Sequence, residues 1–430
     1  MILEKLFKLE RHRTTPKREV LAGFTTFSTL AYVMVVNPMI MADAGMDFAS
    51  AMVATIITSF IATLFMGLFA NYPFALAPGI GMAAYFTYSV VLGKNLPWQT
   101  ALGIVCIAGL ALLLLWIFRL RELIIKAIPL GLKVGATAGV GLFLVLIGLK
   151  NAKIIIAHPQ TLLTLGNPLA PESILTALGV VVMAALMTWR IQGAILIGIL
   201  MNWVLGLTLG LVSWKGAIGL PNFDLQTFMQ LDIKSAFASD LWMISFSFLF
   251  ICLFDSAGSL MGLAHQGRFL NKEGELPRLR KVLLPDIVGT LFGSVLGTSA
   301  SVVYLESASG VAAGGRTGLT AVVVAGLMLV SLFFEPLASS IPVFAITPVL
   351  IIIGAMMLRS VVQFNWEDPS DYIPCFITVV GIPLTYSIGT GIGLGMILYP
   401  VCKLLSGKVR EVHWLAWILA FLFALKFALD

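Results

Sequence analysis

Two carboxylates stand where a chain of this composition has no ordinary use for them. Glu306 lies in Ser301-Val302-Val303-Tyr304-Leu305-Glu306-Ser307-Ala308-Ser309-Gly310, and Asp255 closes the apolar run from Leu241 to Phe254. An ionisable side chain at bilayer depth costs about 2.5 kcal/mol or more, so one that is retained serves a task or a partner. Small residues follow both acids, Ser307 to Gly310 in one case and Ser256-Ala257-Gly258-Ser259 in the other, and they leave room for a ligand. A carboxylate only accepts hydrogen bonds, which suits a neutral ligand with adjacent ring N–H donors. An aromatic neighbour such as Tyr304 suits a flat heterocycle, and extended backbone over 302–306 would aim Tyr304 and Glu306 at the same face. The competing reading of Glu306 is a structural carboxylate held by helix-end amides or a buried Arg. That of Asp255 is a partner for a Ser or Thr on a neighbouring segment. Asp286, just after Pro285 at a helix start, reads as an N-cap, and Glu335 beside Pro336 reads as interfacial.

The elements that must position these acids follow from composition. The chain has 430 residues, 59% of them hydrophobic and 11% charged, with mean hydropathy +1.00. Soluble domains carry about 25% charged residues. Apolar runs of about 17 to 25 residues recur from Val20 onward, each long enough to cross the hydrocarbon core as a helix. The expected fold is an all-α polytopic membrane protein. Its net charge of +6 is not a nucleic-acid footprint. The positive residues cluster at Lys5 to Arg18, Arg119 to Lys126, Arg268 to Lys281 and Lys403 to Arg410, and the positive-inside rule places all four groups and the N-terminus in the cytoplasm. The first outer loop carries Asp43 and Asp47 instead. No cleavable signal peptide is expected, because the first apolar span is too long for one. Cys106, Cys252, Cys375 and Cys402 are scattered without a C-x-x-C, and His12, His158, His265 and His413 lie near loops, so neither a metal nor a cofactor is expected.

Spans are expected near 20–42, 51–70, 74–92, 98–118, 128–149, 173–189 and 193–212, and again near 241–263, 283–297, 298–315, 318–338, 341–358, 372–387 and 389–405. This divides the chain into an N-terminal segment 1–19, a first repeat 20–212, an outer connection 213–240, a second repeat 241–405 and an apolar tail 406–430. The stretch Trp414 to Leu429 either spans or lies in the interface. The repeats share marks: Ile128-Pro129 and Ile341-Pro342 each open an apolar helix, and Thr188-Trp189-Arg190-Ile191 has a counterpart in Thr385-Tyr386-Ser387-Ile388. An odd number of spans inverts the second copy, which is the arrangement of secondary transporters with a site at the midplane. The third span of each repeat is helix-unfriendly, with Pro78-Gly79 in one and Val302-Val303 after a Ser/Thr cluster in the other, so extended backbone leading into half-helices is expected there. Gly79-x-Gly81 and Gly314-Gly315 lack the lysine and strand context of phosphate loops. Transport would therefore be ion-coupled or facilitative rather than driven by nucleotide hydrolysis, and no enzyme chemistry is visible.

The residues resemble the AzgA-like purine permeases of the nucleobase–cation symporter-2 superfamily nearly end to end. The carriers are Gly23-Phe24-Thr25-Thr26-Phe27 through Val36-Asn37-Pro38 to Asp43-Ala44-Gly45-Met46-Asp47, then Ala70-Asn71-Tyr72-Pro73 and Leu76-Ala77-Pro78-Gly79. Phe254-Asp255-Ser256-Ala257-Gly258-Ser259-Leu260 and Glu306-Ser307-Ala308-Ser309-Gly310 through Gly314-Gly315-Arg316-Thr317-Gly318-Leu319-Thr320 are the most specific blocks. The resemblance implies fourteen spans in a 7+7 inverted repeat, with a core domain (spans 1–4 and 8–11) and a gate domain (5–7 and 12–14). It also implies short antiparallel strands in spans 3 and 10 that meet at the substrate. It assigns the main polar site roles, including proton coupling, to Asp255 and Glu306. Tyr304, Leu305, Ser307, Ala83 and Ala84 complete the site on the broken backbone. Function is then proton-coupled uptake of adenine, guanine or hypoxanthine across the cytoplasmic membrane by an elevator-like movement, with a homodimer as the expected assembly. One departure stands out: Gly81-Met82-Ala83-Ala84-Tyr85-Phe86 has Ala83 where the family usually has Asn. The rival expectations are a same-fold carrier of xanthine or a pyrimidine, and a non-transporting paralogue.

Overall fold

The structure is a computed structural model that describes residues 2–221, 225–237, 241–272, 274–364 and 366–429. Among the described residues nine helices are long and apolar enough to cross a membrane. The other five of the fourteen expected spans are present in other forms: the third and tenth are broken, and the seventh (Ala194–Thr208), ninth (Leu284–Leu296) and thirteenth (Pro369–Thr385) are shorter helices. The chain is thus a multi-pass helical protein with a 7+7 repeat. Local chemistry sets the span ends. Asp47 caps the second span by accepting from the Ser50 amide at 2.8 Å, while Thr317, Asp368 and Ser387 cap the eleventh, thirteenth and fourteenth in the same way. Pro129 and Pro342, matched in the two repeats, occupy equivalent positions just before the fifth span (Leu130–Asn151) and the twelfth (Val343–Leu358).

Packing shows the inversion directly. The first span lies against the eleventh as the eighth lies against the fourth, and the second meets the eleventh as the ninth meets the fourth. The fifth packs on the thirteenth as the twelfth packs on the sixth, and the fifth and twelfth pack on each other. Two bundles result: one built on spans 1, 2, 4, 8, 9 and 11 around the broken third and tenth, the other on 5, 6, 7, 12, 13 and 14. At the face opposite the basic connections the bundles are tied together. Asn151 donates to the Tyr88 hydroxyl at 3.2 Å, Tyr88 donates to Asp43 at 2.6 Å, and Ser89 donates to the Tyr386 carbonyl.

Two features lie outside the sequence expectations, and the apolar tail has a definite packing. The first span is two helices, Pro16–Leu30 and Val33–Asp43, interrupted at Ala31-Tyr32. A hairpin, Ile155–His158 against Leu162–Leu165, fills the connection between spans 5 and 6. The tail helix Trp414–Leu429 packs on the fourteenth span, sets Phe423 edge-on against Phe246 and Phe250 of the eighth, and places Lys426 Nζ 2.9 Å from Ser247 Oγ. Parts of the long connection, residues 222–224 and 238–240, lie outside the described residues.

With no hydrophobic force between helices in lipid, close approach depends on small residues. Gly67 and Gly318 bring the second and eleventh spans together so tightly that a Cβ on Gly318 would lie 1.9 Å from the Gly67 carbonyl oxygen. Backbone cannot swing aside as a side chain can. Gly318→Ala is therefore expected to destabilise by about 1–3 kcal/mol, read as a lowered melting temperature of the purified protein. Gly326→Ala on the same span, where a Cβ meets nothing within 4 Å, should not lower it.

Candidate functional site

The two broken spans meet at their strands. Leu76–Pro78 pairs antiparallel with Ser301–Val303, with Leu76 opposite Val303, Ala77 opposite Val302 and Pro78 opposite Ser301. The crossing continues at both ends, where the Gly79 amide donates to Ala300 O and the Tyr304 amide to Ala75 O, each at 3.0 Å. A threonine from the preceding span braces each strand. Thr63 donates to Leu76 O at 2.8 Å and accepts from Leu76 N at 2.9 Å, while Thr290 accepts from Ser301 N at 3.1 Å. Non-helical backbone survives at membrane depth only when protein satisfies it in this way. Gly79 is required there, because a Cβ would lie 2.9 Å from Val302.

Glu306 follows this crossing, but not on extended backbone. The strand ends at Val303, and Glu306 has φ −59 and ψ −20 as the residue before the helix Ser307–Ala312. The expected shared face of Tyr304 and Glu306 is therefore replaced by a turn. Tyr304 folds back onto the third span, its hydroxyl donating to Pro78 O at 2.6 Å, and Ser307, fully buried, accepts from Ala75 N at 2.9 Å. Leu305 is 41% exposed. Glu306 itself is half-buried. Tyr32, at the interruption of the first span, donates to Glu306 Oε1 at 2.5 Å, and Thr29 bonds the Ser309 hydroxyl at 2.9 Å. Tyr32 is the site residue that sequence reasoning missed. Tyr32 is the lone tyrosine of that span, and nothing else in its neighbourhood marks it.

Asp255 sits in the uninterrupted eighth span, Trp242–Gln266, half-buried and hydrogen-bonded to Ser259 one turn on. Asp255 borders a cavity of about 40 Å³ between the bundles, lined on its own side by Gly81, Met82 and Phe254 and on the other by Thr137, Val140 and Ile392. At about 10–15 Å³ per water by this measure, the space holds a few waters, and a larger guest requires the bundles to move apart. Ala83 and Ala84 are fully buried and do not line it. Their neighbours Gly81 and Met82 do.

Behind Asp255 lies a buried ion pair. Arg121, 0% exposed, clasps Asp286, 2% exposed, through Nη1–Oδ1 at 2.9 Å and Nη2–Oδ2 at 2.5 Å, and Ser256 donates to the same Oδ2 at 2.6 Å. Asp286 is therefore not the N-cap that the sequence suggests: Leu283 holds the cap position, Asp286 lies in the first turn as the partner of Arg121, and Arg121 lies inside the protein rather than on the basic face. The pair fastens the connection between spans 4 and 5, which links the bundles, to the ninth span, and Ser256 ties the helix that carries Asp255 to the same carboxylate. Glu19, also fully buried, accepts from Arg316 N at 2.9 Å and from Thr320 Oγ1 at 2.6 Å, closing the start of the eleventh span. At the basic face Lys403 is buried between Asp371 and Glu411, each at 2.8 Å, and Lys408 beside Asp368 holds that carboxyl well below the usual carboxylate range. Among the described residues no three His, Cys, Asp or Glu side chains converge as metal ligands.

Known proteins are similar to this chain along nearly its whole length. The sequence profile described as "Permease family" matches residues 17–394. The adenine permease AdeP of Escherichia coli is 41% identical over 99% of this chain and 96% of its own length. The guanine/hypoxanthine permease PbuO of Bacillus subtilis is 41% identical over 98% of this chain and 99% of its own. Among solved structures, the transmembrane domain of the cyanobacterial bicarbonate transporter BicA superposes with a TM-score of 0.69 at 18% identity, covering 87% of this chain and 97% of that one, a likeness of fold.

Proposed function

The chain belongs to this permease family and is a transporter rather than an enzyme; from that premise we propose that it takes up a purine base across the cytoplasmic membrane together with protons. The observation that carries the reading is the backbone crossing that joins the two repeats, with Glu306 shortly after its second strand and Asp255 on the eighth span packed against that strand. Glu306 accepts ring N–H bonds from adenine, guanine or hypoxanthine, with Tyr32 holding its other side. Asp255 completes the polar clamp, and the two carboxylates together link occupancy to protonation. Relatives named for adenine and for guanine with hypoxanthine support a purine as cargo. The basic face is cytoplasmic, and the ties among Asp43, Tyr88 and Asn151 close the outer side. The bundle carrying the strands is the moving core (spans 1–4 and 8–11), sliding against a gate (spans 5–7 and 12–14), and the cavity between them opens as it moves. The test is uptake of labelled adenine and of labelled hypoxanthine by cells lacking their own purine permeases, with and without a protonophore. The expected result is uptake of at least one base that the protonophore abolishes. Uptake of neither, by protein shown to reach the membrane, would overturn the reading. Uptake indifferent to the protonophore would remove the proton.

A further inference from the structure

The cavity beside Asp255 has a second polar wall, and it belongs to the opposite bundle. Thr137, on the fifth span Leu130–Asn151, lines the cavity together with Val140, Met357, Ile388 and Ile392. Of these five, Thr137 alone carries a hydroxyl. Its proton is engaged within its own helix, donated to Lys133 O at 3.1 Å. A hydroxyl that donates once keeps two acceptor lone pairs, and these are available to a guest.

The facing helix approaches closely. Gly258 comes one turn after Asp255, and a Cβ built there would lie 3.4 Å from Thr137 Oγ1. The threonine oxygen and the aspartate therefore border one narrow space from opposite bundles. We infer that Thr137 is a specificity-determining residue of the proposed transport: it accepts an N–H from the edge of the base turned away from Asp255. A base held this way needs donors on two edges. Adenine supplies them with its ring N–H and its exocyclic amine, and hypoxanthine with ring N–H groups on its two rings, whereas one donor edge leaves one wall unsatisfied. The inference rests on the reading of the cavity as a purine site.

The test uses purified full-length protein and its Thr137→Val and Thr137→Ser variants, with Kd for adenine, hypoxanthine, guanine, xanthine and uracil measured by calorimetry and KM and Vmax by uptake. Valine matches threonine in shape, and the melting temperature of each variant checks folding. Losing one neutral hydrogen bond should weaken binding of the preferred base about three- to tenfold, raise KM correspondingly with Vmax retained, and change the ranking of the five bases. Thr137→Ser should restore the wild-type values. An unchanged Kd and ranking in Thr137→Val would overturn the inference, as would a uniform loss that serine does not rescue. Wild-type protein that binds purines without carrying them would overturn the transport reading while the valine Kd still decides the role of Thr137. Wild-type protein that binds none of the five would overturn both.

Discussion

Exchange of Glu306 for Gln is expected to raise KM for the transported purine about ten- to hundredfold and to abolish protonophore-sensitive accumulation. The change is nearly isosteric, so the strand crossing, the turn after Val303 and the Tyr32 contact all have what they need: Tyr32 donates at 2.5 Å to an oxygen that glutamine can still offer. With the amide oxygen turned to Tyr32, its NH₂ faces the space that a ring N–H would enter, donor against donor. A hydrogen bond to a charged group contributes about 1.5–3 kcal/mol, and each 1.4 kcal/mol is about a factor of ten in affinity. The second half of the expectation is separate from affinity. An amide cannot carry the proton that drives accumulation, so the Glu306→Gln protein should still equilibrate labelled base across the membrane while failing to concentrate it. Initial rates give the first effect and the accumulation ratio at long times gives the second. Full accumulation with an unaltered KM would remove Glu306 from the site.

The largest effect on stability is expected at the Arg121–Asp286 pair. Removing one partner leaves the other charge buried and uncompensated, at about 3–5 kcal/mol, and neither side chain here has solvent to turn to. Arg121→Met and Asp286→Asn should each lower the melting temperature of the purified protein sharply and reduce the amount reaching the membrane. The double variant Arg121→Met/Asp286→Leu should recover much of the loss, because well-packed apolar residues can replace a buried pair at little cost. Singles that melt like wild type would show that the clasp is satisfied in some other way. Ser256 donates to the same Asp286 oxygen and directly follows Asp255, so folded single variants should also carry base more slowly.

Legibility in the sequence follows the strength of each local signal. Spans are marked by length and composition together, and prolines at equivalent positions mark the inverted copies. The breaks in the third and tenth spans are visible because Pro78-Gly79 and Val302-Val303 disfavour helix. The break in the first span carries no such mark, since Ala31-Tyr32 is compatible with helix and tertiary packing decides it. Tyr32 and Glu306 are 274 residues apart, and nothing in either neighbourhood points to the other. The β-branched residues before Glu306 predict extended backbone there, yet the strand stops after three residues and the Ser307 helix takes over. Arg121 sits in a basic cluster that the positive-inside rule explains on average, and an average does not single out the one arginine turned inward. Asp286, beside Pro285, looks like a cap in the sequence, and that reading hides its place inside the first turn as the partner of Arg121.

The strand crossing bears on how proteins of this build change over time. Its register is held by main-chain amides and carbonyls, with one threonine on each side and a glycine where bulk would intrude. Main-chain groups are the same for every amino acid except proline, which lacks the N–H, so substitutions by other residues along Leu76–Pro78 and Ser301–Val303 that respect volume leave the bonds intact. Side chains along the crossing can therefore change while its path stays fixed, and a change in preference for the proposed cargo would fall to the side chains around it.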